Sequence, residues 1–62
     1  MTLQEKWKAI EIIKDSPDIE YDRSFEASQG CWFVVIRDGQ EYINFDRFED
    51  LEDYLKSKYE RN

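Results

Sequence analysis

Few residues in this chain could do chemistry, and their spacing argues against an active site. The sequence contains no His, so the side chain that most often serves as general base and metal ligand is missing. Cys31 is the only cysteine. A thiolate nucleophile needs a base or a positive charge beside it, and the segment Ser28-Gln29-Gly30-Cys31-Trp32-Phe33 supplies neither. An ordinary edge or buried thiol is therefore expected. Asp15, Asp18, Glu20 and Asp22 are closely spaced, but they lack the loop glycine and terminal Glu of a calcium loop. Gly30 and Gly39 are too far apart for a phosphate-cradling loop. The expectation is no catalytic residue, no metal site, no cofactor and no enzymatic activity.

Binding remains, and two surfaces are candidates for it. One is an apolar patch of Phe33, Val35 and Tyr42 beside the acidic row Glu20, Asp22, Ser24 and Glu26. The other is an acidic helix face formed by Glu49, Asp50 and Asp53, with Asp46, Glu52 and Glu60 nearby. Whether these side chains share a surface depends on the elements that carry them.

The first element is a helix. Thr2 and Glu5 have the spacing of a capping box, and Leu3, Trp7, Ile10 and Ile13 fall on one helical face, with Ile12 opposite. Pro17 stops the helix. From Asp18 to Ala27 apolar and polar residues alternate with period two, the pattern of a half-buried strand. Ser28-Gln29-Gly30 reads as a turn, Cys31–Arg37 as a strand, and Asp38-Gly39 as a two-residue hairpin loop before a strand over 40–45. That loop pairs Arg37 with Gln40, and so Val34 with Ile43, Val35 with Tyr42 and Trp32 with Phe45. Setting Ala27 opposite Trp32 brings Phe25 beside Val34, on the core face. Asp46 with Glu49 can cap a second helix whose apolar stripe is Phe48, Leu51, Leu55 and Tyr59. Its early acids and late bases (Lys56, Lys58, Arg61) suit the helix dipole.

The expected fold is α+β: helix, three-stranded antiparallel β-meander, helix, with both helices packed on one sheet face, as a single domain over 1–62. In element order this resembles a double-stranded-RNA-binding domain. That family has a basic start to its second helix, whereas this chain has Asp46, Glu49, Asp50, Glu52 and Asp53 there. The resemblance implies a shape, and no function is carried over.

Composition narrows the partner. The chain has 62 residues, 15 acids and 9 bases, a formal net charge of −6. That charge opposes direct binding to nucleic acid or to anionic membranes. The longest apolar run, Cys31–Ile36, is far too short to span a bilayer. A lone cysteine and a charged N-terminal segment without a leader pattern point to the cytoplasm. The expected function is a small acidic protein–protein interaction domain of the stoichiometric-inhibitor or phage-accessory kind, monomeric or homodimeric. It would dock Phe33, Val35, Tyr42 and the rim Glu20, Asp22, Glu26 onto a protein partner. Two alternatives stay open. Glu49, Asp50 and Asp53, with the Glu20/Asp22/Glu26 row, would imitate phosphates and inhibit a basic nucleic-acid-binding protein. Or the chain only self-associates, the apolar pairs serving as cross-strand stabilisers.

Overall fold

Helix α1 covers Leu3–Lys14 in the computed structural model, which describes residues 1–60; Arg61 lies outside the described residues. The capping box forms: the Glu5 N–H donates to the Thr2 hydroxyl at 3.1 Å, and the Thr2 N–H donates to the Glu5 carboxylate at 2.9 Å. The Thr2 backbone bond holds the Glu5 carboxyl below its ordinary range. Strands β1 (Ile19–Ser28), β2 (Cys31–Asp38) and β3 (Glu41–Phe45) follow, and helix α2 (Phe48–Tyr59) completes the fold. The sheet is antiparallel in the order β1-β2-β3.

Both helices cover one face of that sheet. Ala9 and Ile13 of α1 and Leu51 of α2 meet Ile19, Val34, Ile36 and Phe45 in one core, and all seven are buried. Burying a side chain of this size stabilises by roughly 1.5–3 kcal/mol, so a handful of residues dominates the stability of so short a chain.

Each helix is turned by roughly 50° from its expected orientation, at 100° per residue. In α1 the buried residues are Lys6, Ala9, Ile10 and Ile13, while Leu3 and Trp7 are exposed. Ala9, fully buried, lets the helix approach the sheet closely, and a Trp at the contact would hold it away. In α2, Leu51 is buried and Phe48, Tyr54, Leu55 and Lys58 are half-buried, so the expected stripe keeps Phe48, Leu51 and Leu55 on the core side and loses Tyr59, which is exposed. Asp46 does not cap α2. Arg47 occupies the N-cap, extended at φ −127° and ψ 135°, without a side-chain bond. The helix thus starts one residue later than an Asp46 cap requires.

The hairpin loop is Gly39-Gln40, one residue beyond the expected Asp38-Gly39. Asp38 pairs with Glu41, Ile36 with Ile43 and Val34 with Phe45. Gly39 has φ +66° and no non-glycine residue has a positive φ. One positive φ at the first loop position is the type II′ pattern, whereas type I′ would force Gln40 into the left-handed region as well. The slip is two residues in pairing, so faces are kept: Val34, Ile36, Ile43 and Phe45 point to the helices, and Val35, Arg37, Tyr42 and Asn44 away. Tyr42 pairs with Arg37, not with Val35.

In β1 the face assignment itself changes. The register shifts between Tyr21 and Arg23 and again between Glu26 and Ser28. Two bulges, at Asp22 and Ala27, invert the four residues between them. Phe25 pairs with Phe33, not Val34, and lies on the outer face; Ser24 and Glu26 turn to the helix side. Each inverted residue finds a partner there. The Phe25 and Phe33 rings stack with centroids 5.3 Å apart. The Ser24 and Tyr21 hydroxyls are 2.9 Å apart. The Glu26 carboxylate accepts the Gly30 N–H at 3.0 Å.

Where β3 ends, Met1 continues the sheet. Its carbonyl accepts the Trp32 N–H at 2.8 Å, and its amino group donates to the Trp32 carbonyl at 2.9 Å and to the Asp46 carbonyl. Beyond that point the β1–β2 hairpin projects alone, and the molecule measures 39 × 21 × 16 Å.

Candidate functional site, the uncovered sheet face

The outer face has three rows. Glu20, Arg37 and Tyr42 form the first, Arg23, Val35 and Asn44 the second, and Phe25 and Phe33 the third. No helix crosses it, because the cores of α1 and α2 lie on the other side. Tyr42 is 63% exposed and Phe25 41%. Phe33 is half-buried. Val35, at 2%, offers nothing to a partner. It sits at the centre of the face, ringed by Phe33 and Arg37 along its strand and by Arg23 and Asn44 across it, so it holds the sheet together. Phe25, placed in the core by simple alternation, takes its place among the accessible aromatics.

The rim is not the acidic row that period-two alternation implies. Glu20 is on this face, but its carboxylate meets the Arg37 guanidinium at 2.8 Å. Asp22 lies in the bulge, 3.7 Å from the Arg23 guanidinium. Glu26 has left for the helix side. Two acids and two arginines, paired, therefore frame the aromatics. Both pairs are well exposed and contribute little to stability. They set the charge of the surface, which is locally neutral on a chain of −6.

The acidic helix face is present as expected: Glu49, Asp50 and Asp53 are all exposed on α2. They sit apart from the outer sheet face, on the helix layer. Near the start of α2 an open hollow of about 400 Å³ separates the two helix beginnings, lined by Glu5, Asp46, Arg47, Glu49 and Glu52 with Met1 and Phe48.

Two clusters lie outside what pattern alone shows. Asp38, expected as a loop residue, is the last residue of β2 and reaches α2. Its Oδ2 accepts a hydrogen bond from the Tyr54 hydroxyl and, at 2.9 Å, one from the Lys58 ammonium. The Tyr54 and Lys58 bonds hold the Asp38 carboxyl below its usual range. The same Asp38 bond, with burial, pushes Tyr54 up to about 12, and it raises Lys58 too. Tyr54 stays protonated near neutral pH and donates, and its bond together with that of Lys58 clamps the hairpin to the helix. Tyr54 and Lys58 are four apart, a visible helical pair, but nothing in the sequence says that Asp38 is their partner.

The second cluster is Lys6, whose ammonium lies 4.0 Å from the Trp7 ring centroid and 4.3 Å from that of Trp32. The residue is 7% exposed, and the two rings face its charge where a carboxylate usually would. It ties α1 to the projecting hairpin, and Trp7 serves this contact from an exposed position. Cys31 is an exposed free thiol at the start of β2. No helix of the described residues is long and apolar enough to cross a membrane. Compared with protein-family models, with curated proteins and with solved structures, the chain gives no match, so its likeness to the double-stranded-RNA-binding domain rests on element order alone.

Proposed function

We propose that this chain is a non-enzymatic protein-binding module that acts stoichiometrically, docking its uncovered sheet face onto a protein partner. One observation carries this: Phe25, Phe33 and Tyr42 stand on a sheet face that no helix covers, two of them more than 40% exposed. An antiparallel sheet open to water ordinarily shows polar residues outward, and an apolar centre within a charged rim is the anatomy of a protein interface. An exposed single thiol suits a reducing compartment, so the cytoplasm is the proposed location.

The test uses the immobilised chain and its Phe33→Ala and Tyr42→Ala variants to capture partner from native lysate. Loss of capture with an unchanged circular-dichroism spectrum and melting temperature supports the proposal. Lowered stability with capture intact would make the face a stabiliser only.

A second proposal, that the chain is a DNA mimic directed at a basic partner, draws on α2. Glu49, Asp50 and Asp53 are exposed there, and none forms an ion pair among the described residues. Acids three and four residues apart on a helix stand about 5–6 Å from each other, a spacing that can imitate phosphates. Binding of that kind weakens steeply with salt and is competed by DNA, whereas docking by the neutral sheet face changes little between low and high salt.

A further inference from the structure

We infer that the partner of the uncovered sheet face is a second copy of this chain, docked face to face about a two-fold axis. This rests on the proposal that the face is a docking surface, and it names the occupant. A two-fold interface uses the same patch twice, so the patch must complement itself. Charge decides which surface of this molecule can. The outer face carries Arg37 with Glu20 and Arg23 with Asp22, two positive and two negative groups around Phe25, Phe33 and Tyr42. Its charges are balanced within each copy, so two such faces can meet without leaving like charges opposed and unpaired. The α2 surface would set Glu49, Asp50 and Asp53 against their own copies, and like charges brought together are repelled. On a chain of net charge −6, this is an apolar-centred face whose own charges sum to zero, so two copies meeting there add no local like-charge contact.

Size sets the strength. From Phe33 to Arg37 the face runs about 16 Å along β2 and at most about 14 Å across the three strands, from a rise of about 3.3 Å and a strand spacing of about 4.8 Å, and its Phe25–Phe33 row has two strands only. That is a small patch beside the roughly 800 Å² per partner of a stable complex. The pair is therefore reversible and concentration-dependent.

Sedimentation equilibrium of the full chain, carried from about 10 μM to about 1 mM, reads this directly. The expected result is a mass rising from 7.6 kDa toward twice that value. Tyr42→Ser removes an exposed apolar contact and Arg23→Glu breaks the charge balance. Each is expected to weaken association at least ten-fold, with the far-ultraviolet spectrum unchanged. Glu11→Gln, at an exposed position of α1 on the other layer, is expected to leave it as it was. A nitroxide on Cys31 gives an independent signal: each chain has one cysteine, so any dipolar coupling between labels is between copies, and a two-fold pair yields one distance. A mass fixed at 7.6 kDa throughout overturns the inference, and so does association that Tyr42→Ser and Arg23→Glu leave intact. A strict monomer that still captures another protein through Tyr42 overturns the second copy alone. Capture indifferent to Tyr42→Ala removes the docking surface as well.

Discussion

Asp38 shows how one carboxylate can tie two elements. It faces Glu41 across the hairpin, and like charges directly opposite destabilise a strand pair. Lys58 and the Tyr54 hydroxyl offset this by donating to the same oxygen. Tyr54→Phe keeps the ring against Phe45 and loses the donor, so it is expected to destabilise the fold by about 1 kcal/mol in urea unfolding. Stability should also depend on pH at both extremes. The Asp38 carboxyl is lowered from its ordinary 3.8, so its contribution is present above that value and is lost as pH falls through the lower, folded one. Tyr54 is raised from 10.0 to about 12. Its contribution is present below pH 10 and is lost as pH rises toward 12. Unfolding midpoints across these ranges check the signs, and Tyr54→Phe should remove its share of the alkaline loss.

At the scale of elements, β1 separates what pattern can reveal from what it cannot. Element order, the α1 capping box and the faces of β2 and β3 were legible, because helical spacing, Thr2 with Glu5, and alternation each act locally. The inversion of Arg23–Glu26 was not, since period-two reading has no term for an added residue. Phe25 meets Phe33, and Glu26 meets Gly30, only after the bulges form. The outer face was therefore half legible: Phe33 and Tyr42 stood on it from alternation alone, whereas Phe25, Arg23 and the buried state of Val35 depended on the bulged strand β1. Truncation measures the inversion. Phe25→Ala is expected to destabilise by about 1 kcal/mol or less, as for an exposed stacked ring. Phe45→Ala, at 6% exposure, should destabilise by roughly 3–5 kcal/mol. Equal effects would return Phe25 to the core. In the hairpin, a Cβ on Gly39 would meet nothing within 4 Å, so Gly39→Ala is disfavoured by its φ of +66° alone. It is expected to destabilise by about 1–2 kcal/mol, and Gly39→Asn by less, because Asn tolerates that region.

Across the whole molecule, charge is divided between two layers. The sheet face is balanced, and Glu49, Asp50 and Asp53 stand on the helix layer. If α2 is the contact, Asp50→Lys with Asp53→Lys should weaken a basic partner strongly at low salt and little at high salt. If the sheet face is the contact, the same pair of substitutions leaves binding nearly unchanged. Folding should survive both, since reversing the first-turn Asp50 costs only about 0.3–1 kcal/mol and Asp53 is an exposed residue of the second turn.

The two bulges of β1 bear on more than the position of Phe25. This strand forms one edge of the sheet along ten residues, long enough to template the addition of a foreign strand. Interrupted at Asp22 and Ala27, it offers no unbroken row of free amides and carbonyls. The opposite edge, β3, is only five residues long. Association along the edges, which would continue without end into fibres, is thereby discouraged on both sides. A face-to-face pair of the kind inferred for the flat of the sheet would instead be closed, using each copy's patch once.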